Sequence, residues 1–540
     1  MSSSTLIEVF GHIVFSFTRG VTEHYNPEEP EFTVESFGYN PLESTGREWY
    51  YRPADELIYQ EYSDKEAVTV DYLAPSSLNV RVVNACSPDE NEETQDDKED
   101  EDRAMAWKRF KPSALRTVCK SMYIGSLISL LTATLLGTLY MLISYLCYKT
   151  THNCEYHDPQ HPIPLQVQWL RTISDVIFCA FVYSWYSAII LLLFRPFQLM
   201  GVKRKVILAC YLFYCLEALY AVALQALTKS NSTINFALDK GPSNTLFLIS
   251  VCLQNFFISN HFFSSSRKQK LILFFQMTVP GCLSFIAGSQ FVFFIYPVYN
   301  KQSEEGKLSI ALVAPLVGVV LKVLSRILVQ RLYNITHPGY SYVLLAPLYF
   351  GCAVIFRVLQ ADLDSLKFMA VLGIIHGASE VIERSTMVVI DHICHRLWKR
   401  TSAAWGSFRT PRRERLMADI AIMSMLSEST AIVAVNGLLY LYQFIYLQEK
   451  SLINLLQSFA IQTSVQLVIE WFFTSVSLAI ETRYQNMAVM AVWQRRWKRH
   501  ILAAIVCVVP LAIWTSTNFL VILHARYNES PYKSCKMPFT

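Results

Sequence analysis

The segment IIHGASEVIERSTMVVIDH, residues 374–392, carries His376, Glu380, Glu383 and Arg384 between apolar flanks. On a helix turning about 100° per residue, these positions (i, i+4, i+7, i+8) share one side, within an arc of roughly 100°. An imidazole beside carboxylates can exchange protons, hold a cation or act as a general base, and an arginine beside them can close an ion-pair network. Further groups of this kind recur in other apolar stretches: Lys322 and Arg326 one turn apart, Ser424 with Ser427 and Glu428, and Gln462, Gln466, Glu470 and Thr474 at every fourth position. Glu217 sits alone in a further apolar run.

The elements that must position these groups are set by composition. The chain of 540 residues is 52% hydrophobic and 17% charged, with a mean hydropathy of +0.28, whereas a soluble domain carries about a quarter charged residues. Eleven apolar runs follow Lys120, at roughly 121–147, 172–194, 205–227, 244–264, 271–297, 308–330, 341–360, 366–390, 418–445, 454–480 and 501–524. About 20 residues span a hydrocarbon core as a helix, and none of these runs alternates with the period of two that a barrel strand requires. The expected fold is therefore all-α, a polytopic membrane protein of about eleven helices. The fourth and seventh runs are short, so the count is loose by one. Pro280-Gly281, Pro315 and Pro347 mark places where spans are expected to kink or break.

Lysine and arginine gather in alternate connections: RFKPSALRTVCK, RPFQLMGVKRK, SSSRKQK, HRLWKRTSAAWGSFRTPRRER and QRRWKRH. The positive-inside rule assigns these to the cytosol, with the N-terminus inside and the C-terminus outside. The sequons at Asn231 and Asn528 then face outward and are candidate glycosylation sites, and the sequon at Asn334 faces the cytosol and should be unused. Cys154 and Cys535 both meet the oxidising side and are a candidate disulfide.

Three regions follow from this: a cytosolic segment 1–104 ending in an acidic linker, 87–102; a bundle, 105–525; and a short outer tail, 526–540. The linker, SPDENEETQDDKEDED, is a run of like charge expected to be disordered. No secretory signal is visible, so the first run must target the chain to a plasma or secretory-pathway membrane.

A charge at mid-membrane costs at least about 2.5–3.5 kcal/mol, so the polar groups should face other helices or water. Two readings compete. In one, the carboxylates form a structural network with Arg384, Lys322 and Arg326 as counter-charges, leaving Glu428 and Glu470 without an obvious partner. In the other, His376, Glu380, Glu383, Arg384, Lys322, Arg326, Glu428, Gln466 and Glu470 line a polar path for an ion or small solute, and this is the expected function. Alternatives are a receptor or sensor with a pocket inside the bundle, and an intramembrane enzyme using His376 as a base, for which no nucleophile is identifiable. No cofactor is expected, and no phosphate-binding loop is present. No metal set is expected either: Asp391, His392, Cys394 and His395 crowd one helix end without a second ligand pair. The basic residues track the membrane face without a recognition module, which argues against nucleic acid as a partner. The expected partners are the bilayer and the solute.

Overall fold

The computed structural model describes residues 114–154, 163–194, 196–227, 236–264, 266–336, 338–363, 365–399, 411–447, 451–483, 487, 489–527 and 537–538. The segment 1–104 with its linker, Asn231, Asn528 and Cys535 all lie outside them. Among the described residues all regular structure is helical. The long helices are α1 (Leu115–Lys149), α2 (Leu165–Leu193), α3 (Lys203–Leu227), α4 (Phe236–Phe262), α5 (Arg267–Asn300), α6 (Glu304–Gln330), α7 (Ala346–Ala361), α8 (Leu366–Lys399), α9 (Arg415–Leu447), α10 (Leu452–Arg483) and α11 (Val489–Tyr527).

Nine of these are long and apolar enough to cross a membrane. The chain is accordingly an integral membrane protein. The two that fall short do so for different reasons. Helix α7 has 16 residues, about 24 Å at 1.5 Å per residue, against a hydrocarbon core of about 30 Å. Helix α8 has 34 residues, but its Glu380, Glu383, Arg384 and Asp391 lower its mean hydropathy.

The prolines do not break the spans as expected. Helices α5 and α6 run through Pro280 and Pro315, and Pro347 occupies the first turn of α7, where its missing N–H costs nothing. Departures from α geometry come instead as π turns at Thr132–Gly137, Phe291–Ile295 and Gln443–Leu447, of which only the second adjoins a proline, Pro297.

The described residues divide into two compact units: those within 1–123, 384–418 and 475–495 form one, and those within 124–383, 419–474 and 496–540 the other. Within the first, Arg384 and Glu481 form a two-pronged ion pair, with Nε to Oε1 and Nη2 to Oε2 both at 2.8 Å.

Within the second unit, burial ranks the helices. The most apolar window of α9 is 61% buried and that of α6 only 17%, so α9 is central and α6 peripheral. Helix α6 turns Leu312, Val313, Leu316, Val317 and Val320 outward, an apolar face suited to lipid. Small residues bring α1 against α9: a Cβ on Gly137 would stand 2.7 Å from Val433, and one on Gly437 would stand 2.2 Å from Met141. Polar contacts pin the same layer, with Tyr140 hydrogen-bonded to Thr515 of α11 and Ser429 donating to Ser129 at 3.5 Å. A buried helix is expected to be apolar all round. The centre of α9 instead reads SMLSEST, and those polar groups mark the site.

Candidate functional site

The site is built around Arg357, the sole charged residue in the seventh apolar run. Its side chain is 2% exposed. Nη2 donates to Glu470 Oε2 of α10 at 2.6 Å and to Glu428 Oε2 of α9 at 3.0 Å. Nη1 donates to Gln360 Oε1 at 2.9 Å, and the Gln360 amide in turn donates to the Met369 carbonyl at 2.7 Å. One guanidinium therefore ties α7 to α9, α10 and the start of α8. Charge-assisted bonds of this length are the strong ones, and in a low-dielectric interior their loss is correspondingly costly.

Helix α8 approaches this centre closely because it carries glycines where neighbours press. A Cβ on Gly373 would stand 2.9 Å from Gln360 Nε2, and one on Gly377 would stand 2.3 Å from the Phe473 ring. Between them, His376 stacks on Phe356, ring centroids 3.7 Å apart and 16° from parallel. Its Nε2 stands 3.4 Å from Glu428 Oε2, too poorly aligned to count as a hydrogen bond. One turn on, Glu380 Oε1 accepts from Ser424 Oγ at 3.0 Å. Glu470 Oε1 accepts from Thr474 Oγ1 at 3.3 Å. Gln466 directs Nε2 to the Met369 sulfur at 2.8 Å. Next to the cluster, Lys322 of α6 pairs with Glu383 at 3.2 Å and lies 5.1 Å above the Tyr349 ring. Arg326 is fully buried one turn further along α6.

Eight of the nine residues singled out from the sequence thus lie in the larger unit, and four helices bring them into neighbouring positions. Two expectations are corrected. Arg384, expected as counter-charge to Glu380 and Glu383, pairs with Glu481, and Lys322 serves Glu383. Glu428 and Glu470, expected to lack a counter-charge, share Arg357. Arg357 itself escaped the sequence reading. Its signal was a single cation well inside an otherwise apolar run, with no i+4 partner to draw attention to it.

The local charge is unbalanced. Lys322 and Glu383 neutralise each other, and around Arg357 stand three carboxylates, Glu380, Glu428 and Glu470. With Arg326 counted and His376 neutral, four carboxylates face three cations, a formal surplus of one negative charge.

Two cavities flank the bundle core of the larger unit. One, of about 500 Å³, is polar and lies at the Asn300, Asp362, Leu439 and Arg526 ends of their helices. There Asp362 is held by Lys307 at 3.3 Å, Arg526 at 3.2 Å and the Tyr296 hydroxyl at 3.2 Å. Gln462 lines this cavity, and Gln466 and Glu470 follow it at successive turns of α10. The other cavity, about 690 Å³, is mainly aromatic and aliphatic, with Tyr183, Trp185, Phe247 and Trp514 in its wall and Glu217 at one edge. Glu217 accepts from the Ser243 hydroxyl and from Cys179 Sγ at 3.1 Å. A further buried pair that sequence spacing did not suggest joins His500 Nε2 to Asp419 Oδ1 at 2.8 Å, with Tyr342 stacked on the imidazole.

Of the remaining candidates, Cys154 is disulfide-bonded and adopts a positive φ of 64°. Its expected partner Cys535 and the sequons at Asn231 and Asn528 fall outside the described residues. No protein-family model, curated protein or solved structure matches this chain, so any functional reading must come from the site itself.

Proposed function

We propose that the chain crosses its membrane eleven times, N-terminus cytosolic and C-terminus outside, and moves an ion or small solute through the polar groups around Arg357. Adding α7 and α8 to the nine apolar spans gives an odd number, which accords with basic residues in every second connection. A short α7 is tolerable where its neighbours, rather than lipid, surround it, and its buried residues include Tyr349, Phe350, Val354, Arg357 and Leu359. In this topology the polar cavity opens to the outside, and Asn231 and Asn528 are glycosylated.

The observation that carries the transport reading is the arrangement of Arg357 between Glu428 and Glu470, with Glu380 and His376 adjoining. A device that only glued helices would match acids to bases one for one, since each buried surplus charge is expensive. This set holds more acid than base, which suits a site that fills and empties with a cation or protons. Gln462, Gln466 and Glu470, one turn apart, lead from the wall of the outer cavity towards it along α10.

The test is flux through the purified chain in proteoliposomes, with and without a pH gradient. Glu428→Gln and Glu470→Gln should alter the rate or its pH dependence. Stable variants of both with unchanged flux would remove the support. A second reading, a sensor for an apolar ligand, draws on the 690 Å³ aromatic cavity. It is favoured instead if substitutions there, and none around Arg357, change the protein's response.

A further inference from the structure

His376 and Glu380 are one helical turn apart on α8 and face Glu428 on α9. One donor atom from each lies within 4.8 Å of the other two, and all three residues are buried. The His376 Nε2 to Glu428 Oε2 separation is 3.4 Å. Donors bound at roughly 2.0–2.1 Å to a tetrahedral ion stand about 3.3–3.4 Å apart, so this edge already has the right length. Glu380, whose Oε1 accepts from Ser424, supplies the third donor within 4.8 Å.

A second observation points the same way. The imidazole of His376 is 8% exposed, and neither ring nitrogen makes a hydrogen bond among the described residues. Buried polar nitrogens ordinarily find a partner. Here one ring face is fixed by Phe356, which holds Nε2 towards the Glu428 carboxylate, the orientation a ligand needs and a packing histidine does not.

We propose that His376, Glu380 and Glu428 bind a divalent first-row transition-metal cation of the zinc or manganese type, and that this cation is the transported species; the second half rests on the transport reading above. The donor set decides the class. One imidazole and two carboxylates suit borderline and moderately hard ions, the absence of thiolates from the set disfavours monovalent copper, and Ca²⁺ would ask for six to eight oxygens. Arg357 then has a role in release. It holds Glu428 and Glu470 when the metal is away, and it retains Glu470 while Glu428 turns to the metal. A tethered cation competing for one ligand keeps binding weak enough to permit turnover.

The test uses the full chain purified in detergent, with Co²⁺ as a visible-absorption probe and Zn²⁺ as competitor. One Co²⁺ per chain is expected, displaced by Zn²⁺. His376→Asn and Glu428→Gln should weaken binding by roughly 100-fold, and Glu305→Gln, at the exposed start of α6, should leave it unchanged. Elution as a single species in gel filtration shows which variants are folded. Should His376→Asn fail that check, Glu380→Gln and the rise of the wild-type melting temperature with added Co²⁺ carry the measurement. Wild-type protein that takes up neither Co²⁺ nor Zn²⁺, or folded variants that bind as the wild type does, would overturn the site. Proteoliposomes then separate the two claims. Metal binding without metal flux leaves the site standing and removes transport, whereas flux of protons or another solute without metal binding does the reverse.

Discussion

Arg357→Gln is the perturbation that most directly tests the electrostatic account of the site. The substitution leaves Glu428 and Glu470, each at most 4% exposed at the side chain, without the guanidinium that contacts both. Removing one partner of a buried ion pair costs about 3–5 kcal/mol, because the remaining charge stays in low dielectric. Glu470→Gln removes one charge-assisted bond, worth about 1.5–3 kcal/mol, but it also relieves the surplus negative charge, so its net cost should fall at or below the low end of that range. The gap between the two variants should therefore exceed about 1 kcal/mol. The sign of their combination is more telling. In the Arg357→Gln background, Glu470→Gln deletes an orphaned carboxylate, so the double variant should be more stable than Arg357→Gln alone. Membrane proteins of this size unfold irreversibly, so the readout is the rank order of thermal aggregation midpoints in one detergent rather than an equilibrium free energy. If Arg357→Gln matches Glu470→Gln, or if the double variant is the least stable of the three, the claim that Arg357 neutralises both carboxylates is wrong.

Three further outcomes are expected. Gly377→Ala should cost about 1–3 kcal/mol by overpacking, since its Cβ would meet Phe473 at 2.3 Å, whereas Gly281→Ala, with nothing within 4 Å, should be neutral or slightly stabilising; melting midpoints of the two variants compare them. Arg384→Lys keeps the charge but cannot form the two parallel bonds to Glu481, so expression or melting temperature should fall despite the conservative exchange, and an unchanged midpoint would show the fork to be unimportant. In a glycosylating host, glycosidase treatment should shift the mass of the wild type and leave the Asn231→Gln/Asn528→Gln double variant unaltered; a persisting shift would point to Asn334 and would invert the segment after α6.

The local content of the chain was legible because helical periodicity and transfer energy act over a few residues. Membrane insertion requires long apolar runs, and those runs are visible as such. The stripe of His376, Glu380 and Glu383 follows from 3.6 residues per turn alone. Helix α8 was readable as a long helix by its length and periodicity, although its charges depress its hydropathy. Which cation neutralises which anion was not readable. Arg384 sits one residue from Glu383 in sequence, yet its fork closes on Glu481, 97 positions away. Glu428 and Glu470 looked unpartnered because their cation comes from α7, a helix whose one charge has no neighbour at helical spacing. Pairing of that kind depends on which helices pack together and at what depth, and the small residues at Gly373 and Gly377 set that depth by contact with Gln360 on α7 and Phe473 on α10. An ion pair forms wherever the fold brings opposite charges within a few ångströms in a dry interior, and sequence separation does not enter that energy. The tertiary structure alone therefore decided that one arginine serves two glutamates and that His376 faces Glu428.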